Sequence, residues 1–195
     1  MYRSSRLIPK GSYIGYCILP EVSTSNKSLN LFELEGIEVK DIQKNIDERG
    51  LFAEIARKDW TTLFGDQWIS QANLSISYPG MIRAWHRHSR NQLDYFLVIE
   101  GAMKIVAFDG NSGSKTYQKM VEIIASGERL QIVRIPGHYW HGTKTIGNRP
   151  SSTIYFVNNL YDYKNPDEER RPWNDKLIVN PKTNLPYDWN MPPHK

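Results

Sequence analysis

At 195 residues the chain has the length of one domain, enough to bury roughly 70% of its unfolded surface without disulfide or metal staples. Its 25 Lys and Arg against 21 Asp and Glu leave a formal charge of +4, scattered among acids, which suits an anionic small molecule and argues against nucleic acid. The single cysteine, Cys17, excludes a disulfide framework and fits a reducing, cytoplasmic compartment, and no apolar run nears the roughly 20 residues of a membrane span.

Residues 1–30 read as a lead-in, basic and then Ser/Thr/Asn-rich, with a short strand expected at 13–19. That stretch is too short for a secretory signal and is cut off by Pro20 and Glu21. Residues 31–195 read as one domain. From Gly36 the pattern has period two, and predicts strands at 37–42, 52–56, 68–77, 81–86, 94–100, 102–108, 119–124, 130–135 and 152–158. Turn signals separate them, among them Asp47-Glu-Arg-Gly50, Tyr78-Pro-Gly80, Asp109-Gly-Asn-Ser-Gly113 and Gly147-Asn-Arg-Pro150. Many short strands at regular spacing predict an all-β sandwich or barrel. Only 56–64 and a turn near 166–171 have helical character, and the Pro- and Asn-rich tail after Trp173 is expected to lie over the surface.

Three of the five histidines, His86, His88 and His141, fall at strand ends or just beyond. Two residues apart on a strand, His86 and His88 share a face. A His-x-His pair with Asp94 and a third imidazole is a divalent-metal set. The same spacing also accommodates a metal-free catalytic base, or core histidines that are simply hydrogen-bonded.

The spacing Gly80-x5-His86-x-His88, Asp94-x6-Gly101, Pro136-x4-His141 resembles the two motif blocks of the cupin superfamily, a double-stranded β-helix or jelly roll. Around it stand, in order, Asp47-Glu-Arg49-Gly50-Leu-Phe52-Ala-Glu54, Gln71-Ala-Asn73-Leu-Ser75, Arg83-Ala-Trp-His86, Tyr155 six residues before Tyr161, and Trp173-Asn174-Asp175. From about Leu31 to Val179 this is similar to the dTDP-4-dehydrorhamnose 3,5-epimerase family. The resemblance implies a homodimeric, cytosolic isomerase without metal or other cofactor. It would act on a nucleotide-linked 4-keto-6-deoxyhexose in sugar biosynthesis, with N-terminal strands exchanged between subunits.

By that resemblance His86 is the base that removes a hydrogen beside the ketone, Asp175 orients it, and Tyr155 is the acid on the opposite face. Arg49 and Arg83 would hold the diphosphate. His141 would sit beside the sugar, and Phe52, Glu54, Gln71, Asn73, Tyr161 and Glu168 would hold the nucleotide. Arg83, three residues before His86, faces away from it in an ideal strand, so a bulge or a shared subunit position is expected.

The chain departs from the family where the pattern Gln-x-Lys becomes Gln92-Leu93-Asp94, and where Leu-His-x-Gln becomes Trp85-His86-Arg87-His88. A carboxylate replaces the Lys that would steady an enolate oxygen. Three other readings therefore stay open. One is a metal-dependent cupin enzyme with His86, His88, Asp94 and His141 as ligands. The others are a ketoisomerase and a non-catalytic sugar-nucleotide-binding relative.

Overall fold

Period-two patterning from residue 37 onward folds as strands in the computed structural model, which describes residues 32–190. The lead-in, its expected strand at 13–19 and Cys17 lie outside the described residues. In chain order the elements are β1 (Glu38–Asp41), β2 (Asn45–Asp47), β3 (Gly50–Phe52), the single-turn helix α1 (Thr61–Phe64), β4 (Gln71–Ser77), β5 (Ile82–Arg87) and β6 (Leu93–Glu100). There follow β7 (Ala102–Phe108), β8 (Met120–Ser126), β9 (Gln131–Pro136), β10 (Trp140–Ile146), β11 (Ser151–Val157), β12 (Glu169–Arg170), β13 (Val179–Asn180) and β14 (Leu185–Pro186).

Two five-stranded antiparallel sheets carry the fold, in the orders β1-β9-β6-β11-β4 and β12-β5-β10-β7-β8. This is the all-β jelly-roll arrangement that the sequence predicts. Their inner faces meet in a core of Phe96, Val98, Met103, Ile105, Ala107, Val121, Ile123, Val133 and Ile135.

Part of each outer face is also covered. Tyr95 and Leu97 of β6 point away from the inner core and pack on Leu63, Phe64 and Phe156. Buried on both faces, β6 therefore reads as a continuous apolar run rather than an alternation. On the second sheet Trp85, Val106, Phe108 and Trp140 pack on Ile178, Tyr187 and Trp189. The tail thus supplies a third cluster instead of lying loosely over the surface. Its Trp189 and the strand residue Trp85 both donate indole N–H bonds to the Trp173 carbonyl, at 3.1 and 3.2 Å.

Four further elements differ from the sequence expectation. No strand runs over 52–56: the chain leaves a separate hairpin, β2–β3, at Phe52 and continues irregularly. The expected helix at 56–64 shrinks to α1. Trp60 precedes it with no side-chain oxygen to cap the free N–H groups, and Arg57 is drawn sideways to Glu54 and Asp59. The segment at 166–171 forms β12 because β5 presents a free edge to it; Arg171 N to Trp85 O (2.9 Å) and Trp85 N to Arg171 O (3.0 Å) prolong the pairing.

Strand β10 has no counterpart in the sequence reading. Its inward residues His141, Thr143 and Thr145 are polar yet buried, and Gly142 breaks its pattern. That glycine permits a close approach, since a Cβ there would lie 2.3 Å from Ala84 Cβ on β5.

Candidate active site

The approach of β5 to β10 is irregular at this point. His86 pairs with His141 and Arg83 with Thr143, so three steps along β5 match two along β10. This is a β-bulge. It brings Arg83 and His86, opposed in a regular strand, to line one cavity.

That cavity, of about 670 Å³, opens between the sheets. Gln71, Asn73, Asp94, Phe96 and Tyr155 line it from the first sheet, and Arg83, His86 and Thr143 from the second. Tyr161 and Glu168 close one side. Gln71 donates to Asn73 Oδ1 (2.8 Å) and accepts from the Tyr161 backbone N–H (3.0 Å), so these three expected residues form one unit. Arg83 is tied to Ser77 Oγ at 3.0 Å.

The three histidines do converge. The His86 and His141 rings lie 4.1 Å apart, and one ligand atom from each of His86, His88 and His141 falls within 4.8 Å of the others. Burial pushes the His86 imidazole well below the ordinary histidine value, and His141, His88 and Arg170 push the same way against the pull of Asp94. His86 is thus held neutral, the form in which it can take a proton. Tyr155 is driven upward by burial and by the charges of Asp94 and Glu168, which keeps its phenol protonated.

Asp94 lies under the histidines, fully buried, 3.0 Å from His141 Nε2 and 3.5 Å from His88 Nε2. Burial pushes its carboxyl up, but the imidazoles around it outweigh that and hold it below the ordinary carboxylate value. Gln92 spans the pair, its amide nitrogen 2.9 Å from Asp94 Oδ1 and 3.1 Å from His88 Nε2.

Other expected residues lie elsewhere. Asp175 is not hydrogen-bonded to His86; it accepts from Leu177 N (2.7 Å) and meets Arg171 at 3.5 Å. The carboxylate closest to the histidine cluster is Asp94 instead. Arg49, Phe52 and Glu54 do not line the cavity: Arg49 is 84% exposed and paired with Asp47, and Glu54 is paired with Arg57. His141 lies beneath the cavity wall rather than in it, hydrogen-bonded through Nδ1 to the Tyr139 carbonyl (2.9 Å).

Two cations that the sequence reading passed over, Arg170 and Arg171, line the cavity from β12 and the residue after it, Arg170 opposite His86 in register. The signal was the run Glu169-Arg170-Arg171 just before Trp173-Asn174-Asp175.

The sequence profile described as dTDP-4-dehydrorhamnose 3,5-epimerase matches residues 32–183. The chain belongs to the dTDP-4-dehydrorhamnose 3,5-epimerase family. It is accordingly an isomerase of the epimerase type. A probable low-salt glycan biosynthesis epimerase of Haloferax volcanii is 40% identical over 161 residues, spanning 83% of this chain and 97% of that one. A spore coat polysaccharide biosynthesis protein of Bacillus subtilis is 33% identical over 157 residues, 80% of this chain and 97% of that one.

Among solved structures, the family epimerase of Legionella pneumophila, in complex with dTDP-4-keto-L-rhamnose, superposes with a TM-score of 0.65 at 26% identity, over 73% of this chain and 76% of that one. The Bacillus anthracis dTDP-4-dehydrorhamnose 3,5-epimerase, with TDP and pyrophosphate bound, gives 0.66 at 25% identity over 75% and 84%. The family relationship agrees with the two-sheet fold.

Proposed function

We propose that this epimerase acts on a nucleotide-linked 4-keto-6-deoxyhexose through an enolate, with His86 as base and Tyr155 as acid. The observation that carries the reading is that His86 and Tyr155 line one cavity from opposite sheets, one held neutral and the other held protonated. A hydrogen beside a ketone is acidic because the resulting carbanion delocalises onto the ketone oxygen. A neutral imidazole can take that hydrogen, and a phenol on the other side can return one, inverting the carbon. Arg83, Arg170 and Arg171 are the cavity's cations for a diphosphate. Gln71, Asn73, Tyr161 and Glu168 form the wall assigned to the nucleotide.

Arg49 and Phe52 on the β2–β3 hairpin, and Glu54 just after it, fit this reading where the hairpin reaches a second copy. The hairpin exposes Ile46, Leu51 and Phe52, and the edge strand β4 exposes Leu74 and Ile76. Such apolar surface, and an edge left unpaired among the described residues, suit a homodimer. Sedimentation at twice the chain mass is the expected result, and a monomer at micromolar concentration would count against it.

The enolate is tested by solvent exchange. Incubated in deuterated water with thymidine diphosphate 4-keto-6-deoxyglucose, the protein should place deuterium on a carbon next to the ketone. Absence of label in a sugar shown to be bound would overturn the reading.

The pH dependence follows from the direction of the His86 shift. Only the neutral imidazole is a base, so the acid limb of kcat/KM should lie below the ordinary histidine value of 6.5. The same shift acts on stability: as pH falls below 6.5, the unfolded chain takes up a proton that folded His86 refuses, and stability declines. A rate profile with its acid limb above 7 would contradict this.

A further inference from the structure

One wall of the cavity belongs to neither sheet. Residues 158–168, between β11 and β12, form no strand or helix, yet Tyr161, Tyr163 and Glu168 among them line the cavity. Apolar burial does not hold this segment in place. Leu160 is 74% exposed and Tyr163 87%. Polar anchors must therefore fix it, since a segment with few buried apolar contacts opens easily.

Those anchors run to one place, the turn between β5 and β6. At the near end Asn158 Oδ1 accepts from the Leu93 backbone N–H (2.7 Å), and Asn159 donates to the Arg90 carbonyl (2.9 Å). Midway the Arg90 guanidinium donates to the Asn165 carbonyl (3.0 Å). At the far end Asp167 uses both carboxylate oxygens. Oδ1 accepts from the Ser89 backbone N–H (2.9 Å) and from Ser89 Oγ (2.7 Å), and Oδ2 accepts from the Arg90 backbone N–H (2.8 Å). Bonds to an ionised acceptor are the strong ones. Burial pushes the Asp167 carboxyl up, but the Ser89 and Arg90 donors outweigh that and hold it below the ordinary carboxylate value.

We propose that Asp167 is a positioning residue, which clamps segment 158–168 to the β5–β6 turn and so holds Tyr161 and Glu168 in place for the nucleoside of the substrate. This rests on the epimerase reading given above. Asp167 does not itself line the cavity; Glu168, the next residue, does. The clamp requires a carboxylate. Two backbone N–H groups point at its two oxygens, and neither can turn round. An amide has one oxygen, so asparagine would set its NH₂ against one of those donors.

The clamp bears on one end of the substrate only. Arg83, Arg170 and Arg171, the cations for the diphosphate, stand on β5, β12 and the residue after it, which pair through their own backbone bonds. A nucleoside is remote from the reacting carbons, so its contacts are the same in the ground and transition states. Loosening them should raise KM and leave kcat in place.

The full chain, Asp167→Asn and Ser89→Ala are titrated by calorimetry with thymidine diphosphate and with inorganic pyrophosphate, and urea unfolding curves establish that each is folded. Asp167→Asn should bind thymidine diphosphate at least about tenfold more weakly, the effect of losing one hydrogen bond to a charged group. Its affinity for pyrophosphate should stay within about twofold. Ser89→Ala removes one of the three bonds and strands no backbone donor, so a smaller loss, again confined to thymidine diphosphate, is expected. That variant carries the test where Asp167→Asn fails to fold. Deuterium labelling of the keto-sugar by Asp167→Asn should show KM raised in proportion and kcat within about threefold.

Unchanged thymidine diphosphate affinity in folded Asp167→Asn would overturn the positioning role. So would an equal loss for both ligands, which marks a general structural contribution, or a fall in kcat at constant KM. Unmodified protein that binds pyrophosphate as tightly as thymidine diphosphate would overturn the assignment of this wall to the nucleotide, and the role of Asp167 with it.

Discussion

His86→Asn is expected to abolish deuterium incorporation into the keto-sugar. A positioned general base contributes about 10²–10⁴-fold, and among the described residues no other side chain on this part of the cavity wall offers a neutral base. His88 is committed on both ring nitrogens, to the Asp167 carbonyl and to Gln92, and His141 lies beneath the wall. Tyr155→Phe should separate from it. Hydrogen removal by His86 continues, so label still enters from solvent, while the yield of inverted product falls because the face opposite the base has lost its acid. Mass spectrometry of the recovered sugar measures the first effect and product stereochemistry the second. Equal loss of labelling in both variants would remove the division of roles. Full activity in His86→Asn would remove His86 as the base.

A second large effect is expected from the C-terminal tail. Trp189 is 1% exposed and packs on Trp85 at 4.8 Å and Tyr187 at 5.1 Å between ring centres. Trp189→Ala should therefore cost about 3–5 kcal/mol, the range for deleting a buried Trp side chain. Urea unfolding at constant m-value reports it. Trp85 immediately precedes His86 on β5, so the cavity this substitution leaves lies behind the strand that carries the base. The variant should lose epimerase rate even at temperatures where it remains folded. A change below 1 kcal/mol would show that the tail is an accessory to the sheet, as the sequence alone suggested.

The parts of the fold legible from sequence were those decided by local pattern. Alternation of apolar and polar residues marks most strands of the two sheets, because side chains two apart share a face whatever lies beyond. The order of specific short motifs marked the family, and with it His86, Tyr155, Gln71, Asn73 and Arg83, all of which line the cavity. Tertiary structure decided the rest. Strand β10 was hidden because its inward residues are polar although buried, and because Gly142 answers a neighbour 58 positions earlier in the chain, Ala84. The bulge that turns Arg83 and His86 to one side arises from pairing with β10, which no periodicity within β5 contains. The tail reads as polar and Pro-rich, yet Ile178, Tyr187 and Trp189 complete a core whose other half comes from β5, β7 and β10. Asp94 could be seen in sequence as a departure from the family. That it lies against His141 rather than meeting solvent follows from β6 in one sheet facing β10 in the other, and distance through space, not along the chain, sets that charge.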